Sequence, residues 1–240
     1  MLRTTVIEGN CITALPRLHR TNLPDLVFVS PPAYDPALPM AVSEEQYKYN
    51  IRTATMLSWK VCQGVMVLHG GDHLVGIWMD LAEKLGMTQV KWLNWLYDFG
   101  KNDRHNFNDS RTHLLVYAKD PENYPRNVEA VQVRKKGSRA TRTPGCVWGI
   151  EADGQNWGRI TKTSKEYVPY ACGVQLPENL LARIIKFYSN PGDTVMTPYS
   201  GAGTTAVVAV ELSRSVVAID PDTDATEYRI KRGAVRAFEA

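Results

Sequence analysis

A serine followed by two prolines, Ser30-Pro31-Pro32, closes the apolar run Leu26-Val27-Phe28-Val29, and an aromatic, Tyr34, follows closely. Prolines fix the backbone and remove N–H donors, which leaves the local carbonyls to turn toward a cleft. A hydroxyl and a rigid carbonyl both accept protons from an exocyclic NH2 group. An aromatic ring stacks on a flat heterocycle. Together these residue types hold a nucleobase by its amino group. The same residues also make an ordinary turn, and this stretch alone does not separate the two readings.

A second set lies far downstream. Pro191-Gly192-Asp193 reads as a turn that leads into a short apolar strand and then into a glycine-rich loop, 197–205, with Gly201 and Gly203. The run from Thr204 to Leu212 reads as a helix. Glycines let the backbone approach a ligand closely, and the first turn of a helix presents unpaired N–H groups. The next strand, Ser215 to Ile219, ends in Asp220. An acid at that place in a strand–loop–helix–strand unit accepts from ribose hydroxyls. A Gly-x-Gly by itself is most often a plain turn. The unit as a whole is more specific.

The elements that must carry these sets alternate. Residues 42–59 read as a helix, 64–69 as a buried strand and 73–85 as a helix with Leu74, Ile77, Trp78, Leu81 and Leu85 on one face. Residues 90–97 and 114–117 read as strands joined by the polar loop 98–113. Strands alternating with helices predict an α/β fold, a three-layer sandwich with a mostly parallel sheet. Trp78, Trp92 and Trp95 read as core, while Trp148 and Trp157 stay open. His69 and His105 are read as structural. The polar loop, with Lys101, Arg104, Asn106, Asn108, Arg111 and His113, suits either a solvated hairpin or a substrate-facing surface.

At 240 residues the chain fits one domain, 1–240, with a modest insertion at 121–170. Its composition, 44% apolar and 22% charged, is that of an ordinary globule. No apolar run reaches membrane-spanning length and the N-terminus lacks a signal-peptide pattern. Cys11, Cys62, Cys146 and Cys172 have no C-x-x-C spacing, which predicts reduced thiols in the cytoplasm and no metal site. The net charge of +3 does not argue for a polyanionic partner. Its distribution is more telling: Arg126, Arg134, Lys135, Lys136, Arg139 and Arg142 crowd one loop-like stretch with Glu129 as the opposing acid. Such a stretch neutralises phosphates or is simply solvated.

The two motif sets, in this order, resemble the permuted β-class of DNA amino-methyltransferases, which methylate adenine N6 or cytosine N4 with S-adenosylmethionine. The flanks agree. Gly9-Asn10-Cys11 looks like the family's opening Gly-Asp-Cys, and Gln175-Leu176-Pro177 through Leu180, Arg183 and Ile185 looks like its Gln-x-Pro-x-x-Leu-x-x-Arg-x-Ile helix. The resemblance covers about residues 5–35, 60–118 and 145–235. It implies a Rossmann-like methyltransferase sandwich with circularly permuted motif order. It also implies a restriction–modification setting, with DNA as partner, RNA as a lesser alternative, no membrane partner and a homodimer as the assembly it admits.

By the same resemblance, Ser30, Pro31, Pro32 and Tyr34 would form the catalytic pocket. Asn10, Cys11, Thr197, Pro198, Tyr199, Ser200, Gly201, Gly203, Thr204, Thr205 and Asp220 would bind S-adenosylmethionine. Arg134, Lys135, Lys136, Arg139 and Arg142 would meet nucleic acid, because 121–170 is where the family inserts its target-recognition region. Several positions depart from the family. The aromatic that follows Pro-Pro directly is here Ala33, with Tyr34 one place on. The Asp-Pro-Phe that opens the cofactor loop is Thr197-Pro198-Tyr199, so an acid that would pair the cofactor's ammonium is replaced. A catalytically silent nucleic-acid-binding relative is the alternative these departures leave.

Overall fold

The computed structural model describes residues 2–18, 23–36, 42–97, 104–105, 107–135, 137–149, 157–169 and 175–230. Lys136, Lys101, Asn106 and Cys172 of the sequence reading lie outside them.

The chain opens with strand β1 (Thr4–Glu8), the short helix α1 (Cys11–Ala14), β2 (Leu26–Val29), α2 (Glu44–Val61), β3 (Val65–Gly70), α3 (Asp72–Lys84), β4 (Thr88–Leu96) and β5 (Arg111–Ala118). A small hairpin, β6 (Val133–Arg134) and β7 (Thr141–Arg142), and the two-residue β8 (Val147–Trp148) follow. Helix α4 (Glu178–Tyr188), β9 (Thr194–Thr197), α5 (Thr204–Glu211) and β10 (Ser215–Asp220) complete the core, and residues 224–230 are helical.

β2 and residues 65–68 of β3 are apolar and both strands are fully buried, the mark of central strands covered on both faces. Burying each large apolar side chain there contributes roughly 1.5–3 kcal/mol. The sheet order is β1-β10-β9-β2-β3-β5-β4-β8. Every neighbouring pair is parallel except those that involve β5, which runs against β3 and β4. Helices cover both faces. On one, α2 and α3 pack Ile51, Ala54, Leu74, Ile77 and Trp78 on Val27, Val29, Met66 and Leu68. On the other, α4 and α5 pack Leu180, Leu181, Ile184, Ala206 and Val207 on Leu26, Phe28, Val65 and Val67. The predicted three-layer, mostly parallel sandwich is what forms.

Boundaries moved where caps decide them. The helix expected from residue 42 starts after Ser43, whose hydroxyl accepts from the Gln46 N–H at 3.2 Å, with Glu44 and Glu45 in the first turn. The expected strand 114–117 begins earlier, at Arg111, because β5 pairs with both β3 and β4 along that extra length. Arg111 and His113 therefore belong to a strand rather than to the loop. Trp92 is corrected too. It is 38% exposed, on the open half of β4, and its indole N–H donates to His113 Nδ1 at 3.0 Å. Trp78 and Trp95 are buried as expected.

Candidate active site

From β9 the chain passes through α5 to β10 on one side, and from β2 through α2 to β3 on the other. β9 and β2 are neighbours, so the order reverses between them. Beyond the carboxyl ends of two such strands there is a crevice with no crossover to fill it. Ser30-Pro31-Pro32 leaves β2 on one lip of that crevice, and the glycine loop 198–203 leaves β9 on the other. The two motif sets, about 165 residues apart in sequence, are brought to the same end of adjacent strands.

The glycine loop is shaped by its own backbone. Gly201 and Gly203 have φ of 51° and 75°. A Cβ on Gly203 would stand 2.6 Å from Thr226 Cα, so that position is closed to any side chain. The Gly201 N–H donates to Asp220 Oδ2 at 2.7 Å and the Asp222 N–H to Oδ1 at 3.1 Å. Asp220 is buried at the end of β10, with its carboxylate aimed at the loop. Thr204 and Thr205 are buried in the first turn of α5. Ser200 turns inward to Thr226, hydroxyl to hydroxyl at 2.8 Å. The Thr197 hydroxyl, also buried, donates to the Tyr199 carbonyl at 3.3 Å and carries no charge for a ligand.

Across from β10, Gly9 and Asn10 follow β1. The Gly9 N–H donates to the Asp220 carbonyl at 2.9 Å, and the Asn10 side chain caps α1 through the Ile12 N–H at 2.8 Å. Cys11 is buried beneath, hydrogen-bonded to Tyr199. Burial raises the Cys11 thiol above its ordinary value, which keeps it protonated and apolar in character.

On the other lip, the Tyr47 hydroxyl of α2 donates to the Pro32 carbonyl at 2.8 Å, and its ring lies 5.3 Å from Tyr34 at 45°. Burial pushes the Tyr47 phenol up to about 12, so it stays a donor at any physiological pH. Tyr47 is thus the clamp of the Ser-Pro-Pro turn, and its place on a helix 15 residues away gave no local signal.

His69, read from the sequence as structural, lies directly beside Ser30. Its Nδ1 is hydrogen-bonded to Ser30 Oγ at 2.9 Å and its Nε2 to Thr112 Oγ1 at 2.9 Å. The register explains the meeting: Val29 pairs with Leu68, so Ser30 and His69 lie side by side one residue on, and His69 faces β5 at Leu114. The ring sits between Phe28, 6.0 Å away and nearly parallel, and Trp95 at 6.3 Å. Burial, with a smaller push from His113, lowers its pKa to about 4, so the imidazole is neutral. Beside it, His113 Nε2 meets Asp72 Oδ1 at 2.5 Å, and that bond holds the Asp72 carboxyl below its usual range.

The basic stretch is more ordered than a loop. β6 and β7 pair antiparallel, closed by a turn with Gly137 at φ 72°. Arg134, Lys135 and Arg139 are exposed and Arg142 half-buried. Its root is held by the Asn127 amide, which donates to the Lys186 and Ser189 carbonyls at 3.1 and 2.9 Å. Trp148 and Trp157 are buried around Arg183 of α4, whose guanidinium carbon lies 5.1 and 4.1 Å from their ring centroids. A separate open groove of about 740 Å³, lined by Arg126, Lys186 and Arg214, sits at the amino ends of β9 and β10, away from the crevice.

The family model for DNA methylases of the N6/N4 type matches residues 55–231. The chain belongs to that family. Its chemistry is methylation of an amino group of a DNA base, with S-adenosylmethionine as the family's methyl donor. The chain is 25% identical over 240 residues to the Type II methyltransferase M.HpaI of Haemophilus parainfluenzae, covering 95% of this chain and 73% of that protein. It is 25% identical over 255 residues to the DNA adenine methyltransferase YhdJ of Escherichia coli (strain K12), covering 95% and 82%. Among solved structures it resembles the cytosine-N4-specific PvuII DNA methyltransferase, with a TM-score of 0.69 at 14% identity over 99% of this chain and 94% of that one. It also resembles TTHA0409 of Thermus thermophilus in complex with S-adenosyl-L-methionine, with a TM-score of 0.68 at 17% identity over 96% and 95%. Membership in this DNA methylase family favours the enzymatic reading over the silent one. Among the described residues no helix is long and apolar enough to cross a membrane.

Proposed function

We propose that this DNA methylase extrudes one base from a duplex, holds its exocyclic amino group at Ser30 and the Pro31 carbonyl, and methylates it from S-adenosylmethionine seated on the glycine loop. The single observation that carries the reading is the adjacency of the Ser-Pro-Pro turn and the glycine loop at the reversal between β2 and β9.

The residues present suit the donor. Asp220 supplies a carboxylate for ribose hydroxyls, and Gly201 and Gly203 supply backbone without side chains beside Thr197, Pro198 and Tyr199. Thr204 and Thr205 line the loop-to-helix turn. Asn10 and Cys11, with Ile12 and Tyr199, make a mostly apolar shelf for an adenine. When bound, the sulfonium donor supplies an electrophilic methyl carbon.

The chain's own contribution is positioning and electrostatics. A duplex hides the amino nitrogen, so the base must leave the stack. Ser30 Oγ and the Pro31 carbonyl accept its two N–H bonds and draw the nitrogen lone pair out of conjugation with the ring. Tyr47 fixes the turn through Pro32 while Tyr34 stacks on the base. Holding reactants in line is worth several orders of magnitude in rate. The β6–β7 hairpin, with Arg134, Lys135, Lys136, Arg139 and Arg142, is proposed to neutralise DNA phosphates as part of a recognition insertion at 121–170 within a single domain. A cytoplasmic homodimer completes the reading, and sedimentation velocity tests the dimer.

Incubating purified protein with duplex DNA and methyl-labelled S-adenosylmethionine, then analysing nucleosides by mass spectrometry, tests the proposal. Label in N4-methylcytosine or N6-methyladenine is expected, and which of the two appears names the target. Label in neither overturns it.

A further inference from the structure

We infer that His69, backed by Thr112, is the proton acceptor of the methyl-transfer step, acting through Ser30 Oγ. The inference rests on the reading of Ser30 as the holder of the amino group and adds a destination for the proton that group must lose.

Three side chains stand in a row across neighbouring strands at the rim of the crevice. Ser30 follows β2, His69 is near the end of β3 and Thr112 near the start of β5. Each link is 2.9 Å, Ser30 Oγ to His69 Nδ1 and His69 Nε2 to Thr112 Oγ1. A neutral imidazole has one donor nitrogen and one acceptor. If Nε2 carries the proton and donates to Thr112, Nδ1 accepts from the Ser30 hydroxyl. Both serine lone pairs then face outward, which is what an incoming amino group requires. The other tautomer would have Ser30 receive the imidazole proton and occupy one of those lone pairs.

The step balances as follows. The amino nitrogen bonds to the methyl carbon, and the carbon–sulfur bond breaks with its electron pair remaining on sulfur. The nitrogen, gaining positive charge, releases one proton to Ser30 Oγ while the serine proton moves to His69 Nδ1. The sulfonium charge ends on the imidazolium, whose Nε2–H remains bonded to Thr112. A buried histidine is a weak base, but a methylated, protonated ring amine is a far stronger acid than any imidazolium. Among the described residues, the groups facing His69 are the Phe28 and Trp95 rings, Ser30 and Thr112, with His113 and its partner Asp72 beyond. None of these supplies a nearer base to Ser30. A structural role, by contrast, would only bridge β2 and β5.

The first test needs no cofactor. In protein labelled with ¹⁵N-histidine, long-range ¹H–¹⁵N correlation should show His69 as the neutral Nε2–H tautomer from about pH 6 to 8. His69→Gln assigns the signal. Thr112→Val should remove the tautomer preference and Thr112→Ser should keep it. An Nδ1–H tautomer in wild type overturns the inference. The second test is single-turnover methyl transfer at saturating DNA and cofactor. His69→Gln should be slower by about a hundredfold or more with both dissociation constants unchanged. Thr112→Val should be roughly tenfold slower and Thr112→Ser near wild type, while only enzymes that keep His69 should lose rate as pH falls toward its low pKa. If His69→Gln does not fold, the two Thr112 variants and the tautomer decide. Wild type that transfers no methyl overturns the proposed function itself, whereas normal wild-type turnover with an indifferent His69→Gln or Thr112→Val overturns only the relay.

Discussion

Ser30, His69 and Tyr47 show how much of a pocket is set by single side chains meeting across elements. His69 has a consequence for stability as well as for chemistry. Its folded pKa, about 4, lies below the ordinary 6.5, so the unfolded chain binds the proton more readily. The contribution of the neutral, buried ring is therefore complete above 6.5 and is lost as pH falls from 6.5 toward 4. Denaturation in urea across that window should show wild type losing up to about 3 kcal/mol more than His69→Gln. Parallel curves for the two proteins would mean that His69 is solvated in the folded state. Tyr47→Phe removes the donor to Pro32 but keeps the ring beside Tyr34. A single hydrogen bond is worth about 1 kcal/mol net, so turnover should fall roughly fivefold to tenfold with cofactor affinity intact. An unchanged rate would show that the two prolines hold the turn unaided.

Elements carry the second kind of constraint. α5 is buried from Thr204 to Ala209, so it is locked to the sheet, and the glycine loop before it inherits that rigidity. The β6–β7 hairpin is the opposite case, joined to no strand of the main sheet and rooted through Asn127 on the end of α4. If it meets DNA, replacing Arg134, Lys135, Arg139 and Arg142 by Ala should flatten the dependence of log affinity on log salt. The loss is about 0.9 per phosphate contact removed. Affinity for S-adenosylmethionine should not move, because the hairpin is a sheet of its own, apart from the strands that carry the crevice lips. A fluorescence titration of duplex DNA at several salt concentrations reads the slope. An unaltered slope would move the phosphate contacts to another face. Arg183 of α4, buried beside Trp148 and Trp157, ties those two residues back to the core.

At the scale of the whole molecule, a bound donor would bridge the two lips and the β1 edge. A ligand that binds only the folded state stabilises by mass action, about 2.7 kcal/mol at a hundred times its dissociation constant. Thermal melts with excess S-adenosylmethionine should show that rise. Asp220→Asn should weaken binding about tenfold to a hundredfold, the worth of a charged hydrogen bond. Because Asp220 also accepts from Gly201 and Asp222, the ligand-free melt of the variant must be measured beside it. No shift with ligand in wild type would remove the glycine loop as the cofactor seat.

Residue types and their order were enough to read the layers, the parallel sheet and both motif sets. The reasons are local: the apolar run at Leu26–Val29 and the amphipathic face of Leu74, Ile77 and Trp78 repeat within a few residues, and a glycine loop before a helix is a contiguous pattern. Family membership was legible for the same reason. What periodicity could not reach was side-chain partnership across strands. A histidine at a strand end carries no mark of what lies beside it, and only the register of β2 on β3 and β3 on β5 brings His69 between Ser30 and Thr112. Trp92 was misread because composition does not tell an open edge from a covered one. The crevice, too, belongs to the tertiary structure: it exists because β9 and β2 are neighbours whose connections run opposite ways, a relation between segments far apart in the chain.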